Sequence, residues 1–172
     1  MPNIPNEIVF VCTANTCRSP MAAALFRHAL AAQEEPLRSL KVSSAGVSAF
    51  AGQAASANSV AALKKVNIDL SDHASQPLSQ ELVDNALAFF CMTDSHHAML
   101  SYQIDPPPPN AFLMRQFIGP EASTQIPDPF GGNLAQYEAC RDSMVEAIPS
   151  LLEVVKQLHD AASSTEDGGE ES

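Results

Sequence analysis

Apolar positions along the chain fall into short β-prone runs separated by segments of helical period. Glu7–Cys12 (EIVFVC) reads as a buried strand close to the N-terminus. After a loop, Ser19 and Pro20 predict a helix start, with Ser19 as N-cap and Pro20 at the first helical position. The helix continues through MAAALFRHALAAQEE, with Leu25, Phe26, Ala29 and Leu30 on its inner face. Residues 41–45 (KVSSA) form a second strand ending at Gly46, followed by a small-residue loop and a helix around 55–66. Residues 86–92 (ALAFFCM) and the weaker run 111–114 (AFLM) supply strands three and four, and the four prolines at 106–109 read as a stiff spacer. A final helix is expected over 134–158, capped by Asn133, with Leu134, Tyr137, Met144, Val145, Ile148, Leu151, Leu152 and Val155 keeping the period. Pro149 interrupts it and predicts a kink or a break into two helices.

Strands alternating with helices imply parallel βαβ crossovers, hence an α/β sheet with helices on both faces. The segment 161–172 (AASSTEDGGEES) is small, polar and acidic and reads as a disordered tail, which leaves one domain over 1–160. Composition supports a globular domain: 45% of the 172 residues are hydrophobic and 17% charged. Nine Lys and Arg face 20 Asp and Glu, a net charge of −11, which disfavours nucleic acid and anionic membrane because both require a basic surface. No apolar run is long enough to span a membrane, and MPNIPNEIVFVC has neither a basic leader nor a signal-peptide core. These features point to a reducing, cytoplasmic compartment, where four cysteines serve as nucleophiles or redox groups rather than staples. A monomer is the default.

The stretch VCTANTCRSP carries the chemistry. Cys12 ends a strand, five residues follow, and Arg18 stands just before a helix start. Such a loop can turn its amide groups inward, where the helix start adds further donors and positive dipole character. Arg18 can grip two phosphate oxygens with its planar fork, and the same positive field favours Cys12 as a thiolate ready to attack. Cys-x5-Arg alone is a weak pattern that a buried cysteine beside a surface arginine would also produce. The second element is far downstream, IPDPFGG over 126–132. Asp128, set between prolines, is a turn residue in one reading and a general acid on a rigid loop in the other. His96 and His97 have no accompanying ligand pattern and read as a solvated helix face.

At this point the chain resembles the low-molecular-weight protein tyrosine phosphatase family, through VCTANTCRSP, VSSAGVSAF, IDLSDHASQPL, FFCMT and DPFGG in the family's order. The resemblance implies a flavodoxin-like three-layer α/β sandwich: a four-stranded parallel sheet with the phosphate-binding loop after strand 1. It implies phosphorylated protein substrates, no cofactor and no metal. Cys12 would form a cysteinyl-phosphate, Arg18 and the amides of Thr13, Ala14, Asn15, Thr16 and Cys17 would hold the phosphoryl oxygens, and Asp128 would act as acid and then base. Ser19 matches the hydroxyl beside the thiolate, Asn15 the residue that holds the strained turn, and Ser44 and His73 the groups that hydrogen-bond Asn15 and Ser19. Phe50 and Phe130 would wall the substrate slot. The family usually has Gly where this chain has Ala14; if that position needed positive φ, its methyl group would cost about 1–2 kcal/mol.

Thr16 bears on the substrate. Phosphotyrosine-directed members commonly have an aliphatic residue there, whereas the protein arginine phosphatase branch, which NTCRSPM, SAGV and DPFGG resemble, has Thr. Three readings stay open: a phosphoarginine phosphatase, a phosphotyrosine phosphatase, and a phosphate-binding or redox-sensing relative with weak catalysis. Arsenate reductases share the scaffold but need a closely spaced downstream cysteine pair, which Cys91 and Cys140 do not form. Cys17 could close a disulfide with Cys12 that shields the nucleophile, or be a small buried residue.

Overall fold

The computed structural model describes residues 4–167. Strands β1 (Glu7–Cys12), β2 (Lys41–Gly46), β3 (Ala86–Cys91) and β4 (Ala111–Leu113) form one sheet in the order β2-β1-β3-β4, every pairing parallel. Helices α1 (Arg18–Ala31), α2 (Ala57–Lys64), α3 (Gln80–Asn85), α4 (Asp94–Gln103) and α5 (Leu134–Asp167) connect and cover it, with a short 3-10 turn at Leu37–Ser39. Alternation along β1 sets the layers. Ile8, Phe10 and Cys12 belong to one core with α1 and α5, while Val9 and Val11 belong to a second core with Leu82 of α3 and Leu100 of α4. Phe10 anchors the larger core, its ring 5.5 Å from Phe26 and 5.7 Å from Phe90. This is the three-layer, flavodoxin-like arrangement. β2 lies on one side of β1 and β3 on the other, so the strand order reverses at β1 and a crevice opens beyond its carboxyl end, where Cys12 sits.

Three local expectations are corrected. Helix α1 begins one residue before Ser19, with Cys17 as an N-cap that makes no side-chain cap bond. Pro20 therefore sits third in the helix, where a missing amide proton still costs no intrahelical bond. Ser19 is free to use its hydroxyl elsewhere. Second, α5 passes through Pro149 without breaking into two helices, because Met144, Ala147, Leu151 and Val155 are all fully buried and hold both halves against the core. Third, 161–167 continue α5 rather than opening a disordered tail. Extending an existing helix avoids the nucleation cost, and the hydroxyls of Ser163, Ser164 and Thr165 bond back to the carbonyls of His159, Asp160 and Ala161. The rest of that segment, 168–172, lies outside the described residues. At its other end α5 is capped reciprocally, Asn133 Oδ1 accepting from the Gln136 amide and Gln136 Oε1 from the Asn133 amide.

The end of β2 is shaped to seat the loop after β1. Amides of Val47 and Ser48 donate to the carbonyls of Cys12 and Thr13 at 3.0 and 2.9 Å. Gly46 lies directly beneath: a β-carbon there would collide with the Thr13 carbonyl oxygen and come within 3.1 Å of the Ala14 carbonyl carbon. Gly46→Ala is expected to lower stability by about 1–3 kcal/mol in urea denaturation, because the obstacle is backbone that cannot swing aside.

Candidate active site

The loop joining Cys12 to α1 has its carbonyls turned out and its amides turned in. Carbonyls of Cys12, Thr13, Asn15 and Thr16 accept from Val47, Ser48, His73 and Ser56 respectively. Among the described residues, no amide from Ala14 to Ser19 donates to a protein acceptor. A ring of outward carbonyls and inward amides at a helix start is an anion-binding nest. The sharp turn falls on Asn15, at φ 60°, and Ala14 is not among the residues with positive φ. The methyl group of Ala14 therefore carries no left-handed strain, and the penalty considered for it does not arise. Asn is among the few side chains that tolerate this region.

Asn15 is fully buried, and both polar atoms of its side chain and its carbonyl are bonded. Its Nδ2 donates to Ser19 Oγ at 2.8 Å and Ser44 Oγ at 2.9 Å, its Oδ1 accepts from the Gln76 amide at 2.9 Å, and its carbonyl accepts from His73 Nε2 at 2.7 Å. Because Ser19 Oγ accepts from Asn15, its own proton is available to Cys12 Sγ, 2.9 Å away. The polarity of the chain thus runs from Gln76 through Asn15 and Ser19 to the sulfur, which suits a thiolate. Ser44 and His73 thus both bond Asn15, one at its side chain and the other at its carbonyl. Burial, the largest cause, and the Arg27 charge lower the His73 pKa against the raising effect of its bond to Asn15. Gln76, which closes the network, was not singled out from the sequence; its place in ASQPL after His73 was the available signal.

Cys12, Thr13, Ala14, Thr16, Cys17, Arg18, Asp128 and Phe130 line a cavity of about 200 Å³. A larger one of about 530 Å³ beside α2, lined by Val60, Lys64, Asn67, Ile68, Asp69 and Ser71, has no cysteine and no arginine. Chemistry, not size, identifies the site. Arg18 is buried, with NH1 donating to the Ile126 carbonyl at 3.1 Å and NH2 3.7 Å from Asp128 Oδ2. Asp128 is half exposed and takes the Phe130 amide on Oδ1 at 3.0 Å, so its ion pair with Arg18 contributes little to stability. Its loop is held from below: buried Arg115 donates to the carbonyls of Ser123 and Ser143, and the Ile126 amide bonds Met92. Phe130 lines the cavity, 78% exposed, whereas Phe50, 76% exposed, is not among its lining residues.

Cys17 Sγ contacts Ser56 Oγ at 3.4 Å and the Tyr137 hydroxyl at 3.5 Å. Burial, followed by the contact with Cys17, raises the Tyr137 pKa, so the phenol keeps its proton and can donate it. Burial pushes the Cys91 and Cys140 thiols up to about 12, which leaves them inert. Among the described residues no group of three metal-ligating side chains converges, and no helix is long and apolar enough to cross a membrane.

The reading of His96 as solvent-facing is overturned. It is 4% exposed, with Nε2 2.8 Å from Thr13 Oγ1 and 3.5 Å from Arg18 NH2. The α4 N-cap, Thr93, turns the first helical turn inward and brings His96 to the loop. His97 is partly buried against the Ala111 carbonyl.

These features define a phosphate-handling thiol site on a doubly wound sheet, and the family follows. Residues 7–161 match the model for low molecular weight phosphotyrosine protein phosphatase, and the chain belongs to that family. It is 37% identical over 150 residues to a protein-arginine-phosphatase of Geobacillus stearothermophilus, covering 87% of this chain and 96% of the relative. The solved YwlE arginine phosphatase from the same organism superposes with a TM-score of 0.77, covering 89% of this chain and 94% of that one at 37% identity. A second solved YwlE arginine phosphatase is a cysteine-to-serine mutant with a phosphorylated active-site serine; its TM-score is 0.75 at 35% identity, covering 88% and 95%. The protein is thus a low-molecular-weight protein phosphatase, of a family with a cysteine nucleophile.

Burial, then the Arg18 charge, lowers the His96 pKa to about 4, against the raising effect of Asp128. The unfolded chain therefore binds a proton at this residue between about pH 6.5 and 4 that the folded chain refuses. Folding stability contributed here is complete above pH 6.5 and falls as pH drops toward 4, by up to about 3 kcal/mol. Denaturation curves across that window should show a shallower pH dependence in His96→Gln than in wild type.

Proposed function

We propose that this protein hydrolyses phosphoarginine on protein substrates. Cys12 Sγ attacks phosphorus in line, forming the S–P bond as the P–N bond breaks, and the Asp128 carboxyl gives its proton to the departing guanidine nitrogen. Arg18 and the inward amides take up the charge on the equatorial oxygens. Water then attacks the cysteinyl-phosphate, Asp128 accepts its proton, and the S–P bond breaks to release inorganic phosphate. The observation that carries the substrate assignment is Thr16 on the cavity wall. Among the described residues its hydroxyl has one side-chain neighbour, Cys17 Sγ at 3.9 Å, so it can turn to a polar guanidinium, which Asp128 across the same cavity can also pair with. Similarity in sequence and structure to the arginine phosphatase of Geobacillus stearothermophilus supports the same assignment. The protein works as a monomer in a reducing, cytoplasmic compartment, consistent with four buried free cysteines.

A phosphotyrosine reading rests on the exposed Phe130 ring at the cavity mouth, against which an aromatic leaving group could pack. Steady-state kinetics on free phosphoarginine and phosphotyrosine separates the two. Wild type is expected to show the higher kcat/KM for phosphoarginine, and Thr16→Ile to shift the ratio toward phosphotyrosine by about tenfold, as loss of one polar contact implies. A wild-type preference for phosphotyrosine would overturn the assignment. Asp128→Asn should lower kcat by about 10²–10⁴.

Cys17 lines the same cavity as Cys12, and we assign it as the resolving thiol. Peroxide oxidises Cys12 to the sulfenic acid, which condenses with the Cys17 thiol to a disulfide and releases water; a thiol reductant restores both. After peroxide treatment and reduction, wild type should regain most of its activity and Cys17→Ser little. Equal recovery would remove the role of Cys17.

A further inference from the structure

His96 belongs to none of the motifs by which the loop is recognised, yet it touches two loop side chains at once. Its hydrogen bonds fix its tautomer. Thr93 Oγ1 accepts from the His96 amide at 3.4 Å and lies 3.0 Å from Nδ1. Arg18 NH2, 3.5 Å from Nε2, has no acceptor atom, so Nε2 carries the lone pair that meets it and Nδ1–H donates to Thr93. That lone pair accepts the Thr13 hydroxyl proton at 2.8 Å and faces the Arg18 NH2 at 3.5 Å, a guanidinium that can only donate. An Nε2–H would point at a cation instead. The same NH2 stands 3.7 Å from Asp128 Oδ2, so His96 and Asp128 compete for one nitrogen of Arg18.

We propose that His96 is a positioning residue: its Nε2 pins the Thr13 hydroxyl and holds the Arg18 fork toward the phosphoryl oxygens, keeping it from being captured by Asp128. Capture would damage the site twice, since it would turn the fork away from phosphate and occupy the carboxyl that must protonate the leaving group. The Ile126 carbonyl holds the other arm of Arg18 and acts as a pivot for that swing. This inference rests on the assignment of the loop as a phosphoryl site.

The test measures the inhibition constant of inorganic phosphate, together with kcat and KM for p-nitrophenyl phosphate, in wild type, His96→Gln and His96→Leu. Gln keeps an acceptor oxygen near the Nε2 position, and Leu removes it. His96→Leu should weaken phosphate binding about tenfold, the equivalent of one hydrogen bond to a charged group, while His96→Gln stays within about threefold of wild type. Arg18 capture makes a second demand. With Asp128→Asn as background, where the competing charge is gone, His96→Leu should cost less than about threefold in phosphate affinity. Equal losses in Gln and Leu variants, a folded His96→Leu that binds phosphate like wild type, or an undiminished effect in the Asp128→Asn background would each overturn the proposal. If His96→Leu does not fold, Thr13→Val, which removes the exposed donor, must weaken phosphate binding in its place. A wild type that neither binds phosphate nor turns over p-nitrophenyl phosphate would remove the phosphoryl-site assignment and this proposal with it, whereas an active wild type with unaffected variants removes this proposal alone.

Discussion

Everything at this site depends on Asn15 being held in left-handed geometry inside the protein. At φ 60° it reverses the chain between strand and helix, so the carbonyls of the loop face the scaffold and its amides face the cavity. The conformation is unfavourable for most residues, and it persists here because every polar atom of the side chain is bonded. Gln76, Ser44 and Ser19 hold the side chain, and His73 holds the carbonyl. Two chain segments distant in sequence, at Ser44 and at His73 to Gln76, thus converge on one residue, and the same bonds orient the Ser19 proton toward Cys12. Fixing the turn and preparing the nucleophile are one physical event.

The charge distribution follows a similar logic. A protein of net charge −11 can attract a phosphate because amide dipoles and Arg18 act over a few ångströms, while distant carboxylates are screened by salt. Arg18 is buried among acceptors that each claim part of its fork: the Ile126 carbonyl, His96 and Asp128. The cation is suspended among them rather than locked to one. A guanidinium tied bidentately to a carboxylate would be a structural bridge, and here the nearest carboxylate oxygen is 3.7 Å away.

Much of the fold was legible in the linear pattern, because the central strands β1 and β3 are β-prone runs buried on both faces and each long helix keeps its period. All four strands, the helix around 57–64 and the start of the helix at 134 stand within a few residues of where periodicity puts them. The misreadings share a cause. Ser19 looks like an N-cap because Ser-Pro is a good local helix start, but a thiol 2.9 Å away claims its hydroxyl. Pro149 looks like a helix breaker and the 161–167 stretch looks disordered, because propensity knows nothing of the core that pins α5. His96 looks solvated because its helix has a weak apolar face, and only the packing of α4 beside the loop reveals that it is buried.

By itself the sequence determined the class of chemistry: a thiol at a strand end, an arginine six residues on, and an acid set between prolines are local arrangements, readable from order and spacing alone. It also placed Asn15 at the turn, since few residues accept that geometry. The tertiary structure alone decided which way each hydrogen bond points, that Ala14 escapes strain, that Phe130 and not Phe50 lines the cavity, and that His96 reaches Arg18. Those outcomes depend on contacts between segments 61 to 83 residues apart, as from Gln76 to Asn15 and His96 to Thr13, and a linear pattern carries no record of which donor meets which acceptor across such distances.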